Sequence, residues 1–218
     1  MRRHSARPAI KSNSVAWSYS ELDAVSSACA AAFLRECGEE PAPIALLMNH
    51  DATLVAAIAG VLRSGCFYLV LNTAHPRARL SQILEETKPK ATVADLSHLA
   101  LARDLSRHTG KVFSFDEINR STKGAMGRPA PGLDSPCAIF YTSGSSNRPR
   151  PFVYTHGGTL TNIDNYARAL AITPEDRLAL LSHCSAAASV SQIFGALLHG
   201  ACLLPLEPMI GGFNDLRR

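Results

Sequence analysis

Nothing in these 218 residues approaches the roughly 20 consecutive apolar residues of a membrane span, and residues 1–14 are polar and basic with no apolar leader core. No membrane association is expected. The six cysteines, Cys29, Cys37, Cys66, Cys137, Cys184 and Cys202, form no C-x-x-C pair and have no histidine at zinc-ligand spacing. That argues against both a metal site and a disulfide framework. Most lie inside apolar runs and read as buried free thiols of a reducing, cytoplasmic environment. Charge is scarce at 18%, and the net +4 is dispersed apart from Arg2, Arg3, Arg217 and Arg218, so no nucleic-acid partner is expected. No G-x-G-x-x-G follows a strand and no G-x-x-x-x-G-K-S/T is present, which removes the main support for a dinucleotide oxidoreductase or a P-loop ATPase. What remains is a chain that is 46% hydrophobic, without repeats, and long enough for one substantial α/β domain.

Strand and helix signals alternate along it. Residues 15–19 read as a short strand, and Ser18 with Glu21 is a capping-box signature for a helix that buries Leu22, Val25, Cys29 and Phe33. Strands are predicted over 44–48, 66–71 and 91–94, with helices over 51–63, closed by Gly65, and from Pro76 to before Pro89. The pattern is that of parallel β-α-β units. A weaker helix over 99–105 and a strand over 111–115 complete a first α/β layer, residues 1–118, and the Gly- and Pro-rich interval 119–136 reads as a linker or loop. Residues 137–218 then carry strands over 137–141, 152–155, 177–181 and 200–206 and helices over 160–170 and 190–198, as the start of a second layer.

The stretch 141–150, Y-T-S-G-S-S-N-R-P-R, follows an apolar strand. Thr142, Ser143, Ser145 and Ser146 surround Gly144, and Arg148 and Arg150 flank Pro149. Hydroxyls, free amides and guanidinium groups on a loop after a strand suit a phosphate. A polar surface turn has the same composition, and composition alone favours the turn.

Together with Thr155-His156, this stretch resembles the phosphate-binding signature Y-T-S-G-S/T-T-G-x-P-K-G…T/E-H of the AMP-forming adenylate ligases. That family includes acyl-CoA synthetases, luciferase and the adenylation domains of nonribosomal peptide synthetases. Residues 17–22, W-S-Y-S-E-L, resemble its L-T-Y-x-E-L motif, and residues 62–71, L-R-S-G-C-F-Y-L-V-L, resemble L-K-A-G-x-A-Y-x-P-L/I. Ser189-Val190-Ser191-Gln192-Ile193-Phe194 and Leu197-Leu198-His199-Gly200-Ala201 resemble S-V-W-E-I-F and L-L-x-G-A. The matches keep the family's order, and the peptide-synthetase branch is the most similar. The resemblance implies the N-terminal part of the family's large subdomain, an α/β fold of layered, mostly parallel sheets with flanking helices. It also implies ATP and Mg, with Mg ligands outside this chain, a small carboxylic acid activated to an acyl-adenylate, and a carrier-protein phosphopantetheine or coenzyme A as acceptor. Carried over by position, Thr142, Ser143, Gly144, Ser145, Ser146 and Arg150 contact phosphate, and His156 supports the loop.

The departures are specific. Arg150 stands for the family's Lys, Asn147 for a loop glycine, and Pro151 for the following glycine, where it removes an amide donor. Ala187 occupies the position of the Asp that pairs with an α-amino acid's ammonium, so either the acid lacks that group or the pocket has decayed. His183 nearby reads either as a carboxylate neighbour or as a structural histidine. The family's adenine, ribose and catalytic-lysine motifs are not found before Arg218, which suggests a fragment, inactive alone, or a non-catalytic remnant.

Overall fold

The computed structural model describes residues 4–12, 15–38, 40–107, 110–121, 130–142 and 149–206. The chain begins β1 (Pro8–Lys11), β2 (Ala16–Ser18), α1 (Tyr19–Cys37), β3 (Pro43–Leu47), α2 (Ala52–Arg63), β4 (Phe67–Val70), α3 (Arg77–Thr87) and β5 (Ala91–Ala94). It continues with α4 (Leu99–Leu105), β6 (Lys111–Ser114), α5 (Phe115–Ser121), β7 (Pro136–Tyr141) and β8 (Pro151–Thr155). The last described elements are α6 (His156–Ala169), β9 (Arg177–Leu180), α7 (Ala188–Leu198) and β10 (Cys202–Pro205).

Local chemistry sets most of these boundaries. Ser18 Oγ accepts the Glu21 N–H at 3.3 Å while Glu21 Oε2 accepts the Ser18 N–H at 2.7 Å, closing the capping box that starts α1. Asp51 Oδ1 caps α2 by accepting the N–H groups of Thr53 (2.8 Å) and Leu54 (3.3 Å). Gly65, at φ +76°, supplies the left-handed turn after α2 that leads into β4. Helix α6 starts at His156, four residues before the expected start at 160, because Thr155 Oγ1 accepts the Gly158 N–H at 3.3 Å and caps it there.

Among the described residues the strands form two sheets, a six-stranded one in the order β6-β5-β3-β4-β7-β8 and a four-stranded one in the order β2-β1-β10-β9. Pairing is parallel except at β7–β8 and β1–β2. The expected division at 119–136 does not separate the sheets. β7 joins the first sheet through Tyr68↔Ala138, whereas β1 joins the second through Ile10↔Leu203. Alternate residues of the six-stranded sheet face two cores. Ile44, Leu46, Tyr68, Val70 and Phe140 meet α1, α2, α7 and the second sheet, while Ala45, Leu47, Leu69, Leu71 and Ile139 meet α3 and α4. Helices α1 and α2 approach so closely that a Cβ on Gly60 would lie 2.4 Å from the Cys29 Cβ, so only glycine fits there. All six cysteines are buried and none is in a disulfide. No described helix is long and apolar enough to cross a membrane.

Candidate functional site

In the six-stranded sheet, two neighbouring strand pairs send their chains away in opposite directions at their carboxyl ends. Such points open crevices that accept ligands in α/β sheets. The first, between β3 and β5, is stitched shut. Asp95 accepts the Asn49 N–H at 2.7 Å, and its other oxygen accepts from Ser97 Oγ (2.8 Å) and the His98 N–H (2.9 Å). The second, between β4 and β7, is open and holds a cavity of about 650 Å³. Val70 of β4 and Asn72 just after it line it, with Phe140 of β7 and Thr142 just after it, His75 from the segment leading into α3, and Arg79 of α3 itself. Ala186 and Ala187 close it from the start of α7.

Thr142 and Arg150 are the described ends of the hydroxyl loop; Ser143, Gly144, Ser145 and Ser146, with Asn147 and Arg148, lie outside the described residues. The ends are clamped together. The Thr142 N–H donates to Arg150 O at 3.1 Å, and the Arg150 N–H to Thr142 Oγ1 at 3.3 Å. Pro151, the departure that threatened this loop, is the first residue of β8, which among the described residues is an edge strand paired only with β7. A missing N–H is tolerated there. Tyr141 is fixed from α3: its hydroxyl donates to Glu86 Oε2 at 2.9 Å, and the Arg79 guanidinium carbon sits 4.8 Å above its ring. Burial and Glu86 both push the Tyr141 pKa up, so the phenol stays protonated.

Ala187 lines the cavity and contributes no polar group to it. No carboxylate is found in the lining among the described residues, whereas Arg79 supplies a cation. His183 stands behind this wall, stacked on His50 with ring centroids 5.3 Å apart. Its Nδ1 accepts from the Ser185 N–H (3.1 Å) and Oγ (2.8 Å). Burial, reinforced by His50 and His75, lowers its pKa to about 4, so it is neutral at pH 7. Gln192 holds α7 against the end of β9 by accepting the N–H groups of Leu181 (3.2 Å) and Ser182 (3.1 Å). The structure thus brings Thr142 and Ala187 to one cavity, with His183 just outside it. His156 goes elsewhere. Its N–H donates to Ser135 O at 3.0 Å, and its ring lines a separate cavity beneath α6 and α7.

The profile of the family described as AMP-binding enzyme matches residues 1–214. The chain belongs to the AMP-binding enzyme family. It is 28% identical over 209 residues to malformin synthetase mlfA of Aspergillus vadensis, covering 93% of this chain and 4% of that protein. It is 32% identical over 190 residues to tyrocidine synthase 2 of Brevibacillus parabrevis, covering 86% of this chain and 5% of that protein. The crystal structure of the nonribosomal peptide synthetase FmoA3 with α-methyl-L-serine-AMP bound superposes with a TM-score of 0.87 at 28% identity, over 99% of this chain and 25% of that one. Apo MatB from Rhodopseudomonas palustris shares the fold, with a TM-score of 0.84 at 20% identity over 93% of this chain and 42% of that one.

For this AMP-binding chain, motif reading located the loop and the start of α7 but missed Asn72, His75 and Arg79. Their signal was weak: Arg79 falls in a helix whose apolar face, Leu80, Ile83 and Leu84, accounts for its pattern without it. Glu86, the partner of Tyr141, likewise reads as helix surface.

Proposed function

We infer that the cavity at the carboxyl ends of β4 and β7 is one side of an adenylate-forming site. The carrying observation is that the Thr142 end of the hydroxyl loop and the Ala187 end of α7 meet on one cavity at an open crevice of the sheet. In this reading the hydroxyls of Thr142, Ser143, Ser145 and Ser146 and the Gly144 amide hold the β and γ phosphates of ATP, and Arg150 adds charge. A carboxylate oxygen of the acid attacks the α phosphorus, and the bond to the departing pyrophosphate oxygen breaks with its electron pair leaving on pyrophosphate. The sulfur of a carrier-protein phosphopantetheine, or of coenzyme A, then attacks the acyl carbon, the bond to the AMP oxygen breaks with its electron pair leaving on AMP, and the thiol proton passes to solvent. The chain's contribution is positioning and charge neutralisation, without a covalent intermediate. The described cavity lining offers Mg no carboxylate ligand.

The same lining bears on the acid. With Ala187 at the mouth of α7 and no carboxylate to pair an ammonium among the described lining residues, the acid in this reading is one without an α-amino group. Because the family's adenine, ribose and lysine motifs are not among these 218 residues, the chain by itself is inactive in this reading. The competing reading, a non-catalytic remnant, drew on Pro151 and Ala187; the edge position of Pro151 weakens its first support. The test is ATP–pyrophosphate exchange against a panel of carboxylic acids, using a longer protein that joins this chain to the missing motifs. Exchange with acids lacking an α-amino group is expected. Absence of exchange with every acid favours the remnant.

A further inference from the structure

A second cavity, of about 180 Å³, lies between the sheet and the helices α6 and α7. Tyr68 of β4 and Cys137 of β7 form its floor, and Leu160 and Leu198, 46% and 57% exposed, show that it reaches the surface between the helices. It is separate from the β4–β7 end cavity. Tyr68 lines one and Phe140 the other, and their rings stand edge to face between them with centroids 6.1 Å apart.

Its lining is almost all carbon, and Tyr68 carries its one buried polar side-chain atom without a partner among the described residues. Cys137 Sγ and Thr159 Oγ1 are paired at 3.0 Å. Burial lowers the pKa of His156, so its ring is neutral at pH 7. The Tyr68 side chain is fully buried, and its hydroxyl has no hydrogen-bond partner among the described residues. A buried hydroxyl left unpaired costs more than the phenylalanine that would fill the same space. Its presence at the floor of a cavity calls for an acceptor inside that cavity. Nothing in the lining compensates a charge, so a charged occupant is disfavoured. The volume is also below the roughly 300–1,000 Å³ of pockets for drug-sized ligands.

We propose that this cavity binds a small, neutral, mostly apolar molecule, about the size of a single substituted aromatic ring, that accepts a hydrogen bond from the Tyr68 hydroxyl. Acetophenone and α-methylstyrene test it, because they share one shape and differ in a carbonyl against a methylene. Each is titrated into the isotopically labelled 218-residue protein, and the backbone amides are followed by NMR. Acetophenone should shift the amides of Thr159, Ile163 and Val190 and bind about fivefold more tightly than α-methylstyrene, the factor one net hydrogen bond supplies. In Tyr68→Phe, which keeps the shape of the floor, the two should bind equally, at the level of α-methylstyrene. The proposal is overturned if neither probe moves these amides, if both bind the parent equally, as they would were the hydroxyl satisfied by water alone, or if the preference survives in Tyr68→Phe. Shifts centred instead on Asn72 and Thr142 would also overturn it.

Discussion

Two cavities are built on the same strands, β4 and β7, and they differ in nearly every chemical respect. The one at the carboxyl ends is walled by residues where the chain leaves the sheet: Asn72 and His75 after β4, Thr142 after β7, and Arg79 on α3. The one nearer their amino ends is walled by Tyr68, Cys137, Val190 and Phe194, and has a single buried polar atom without a partner among the described residues. The lesson is positional. Strand ends turn into loops and collect donors and cations, so a cavity there can hold an anion. Residues within the strands alternate into packed faces, so a cavity against such a face is apolar and small.

The comparison breaks most readily at Ala187. In the longer protein, Ala187→Asp is expected to turn acid preference toward substrates with an α-ammonium by roughly tenfold or more, the worth of a charge-assisted pair, as read from pyrophosphate exchange. The binding of acetophenone beneath α6 and α7 should not change. An unaltered acid preference would remove the β4–β7 cavity from acid recognition. Next in size, Arg79→Ala should weaken pyrophosphate binding by about tenfold in calorimetry, with Arg79→Lys recovering part of the loss because it restores charge without the planar stacking on Tyr141. Equal affinity in Arg79→Ala and the parent would mean that this guanidinium serves only to hold Tyr141.

The histidines sharpen the contrast through pH. His183, with its pKa lowered from 6.5 to about 4, is neutral when folded and protonates more readily when unfolded. Its effect is therefore absent above pH 6.5; as pH falls from 6.5 toward 4 the unfolded state gains the proton first, and stability is lost across that window. Urea midpoints should drop between pH 7 and 4.5, and His183→Gln should remove more of that drop than His156→Gln, since only His183 has histidine neighbours adding to its burial. A larger effect at His156 would reverse the assignment. The smallest effect is expected at Tyr68→Phe, which should leave stability unchanged or raise it by up to ~1 kcal/mol, because it deletes a hydroxyl without a partner. A clear loss would reveal a partner for that oxygen.

Much of the fold was legible because its signals are local. Ser18 with Glu21, Asp51, Gly65 and Pro76 each act within a turn of the chain, and the elements they bound fall where expected. What was not legible is long-range. No local pattern tells β1 to lie beside β10, with Ile10 opposite Leu203, or β7 to lie beside β4. The four-residue β1 and seven-residue α5 were missed because few of their residues are apolar, Ala9 and Ile10 in one and Phe115 and Ile118 in the other, although these are buried. In the site, the hydroxyl loop and the start of α7 stood out through their order of motifs. Arg79, Glu86 and Tyr68 did not, since a surface helix and a core strand explain them equally well until the fold sets Arg79 and Glu86 against Tyr141 and Tyr68 under α6.

The measurement closest to the central claim is an amide NMR titration of the protein with MgATP. If phosphate binds at the carboxyl ends of β4 and β7, shifts are expected at Asn72, His75, Thr142 and Arg150, and none at Thr159, Ile163 or Phe194. Shifts confined to the α6–α7 set, or none anywhere at millimolar MgATP, would contradict it.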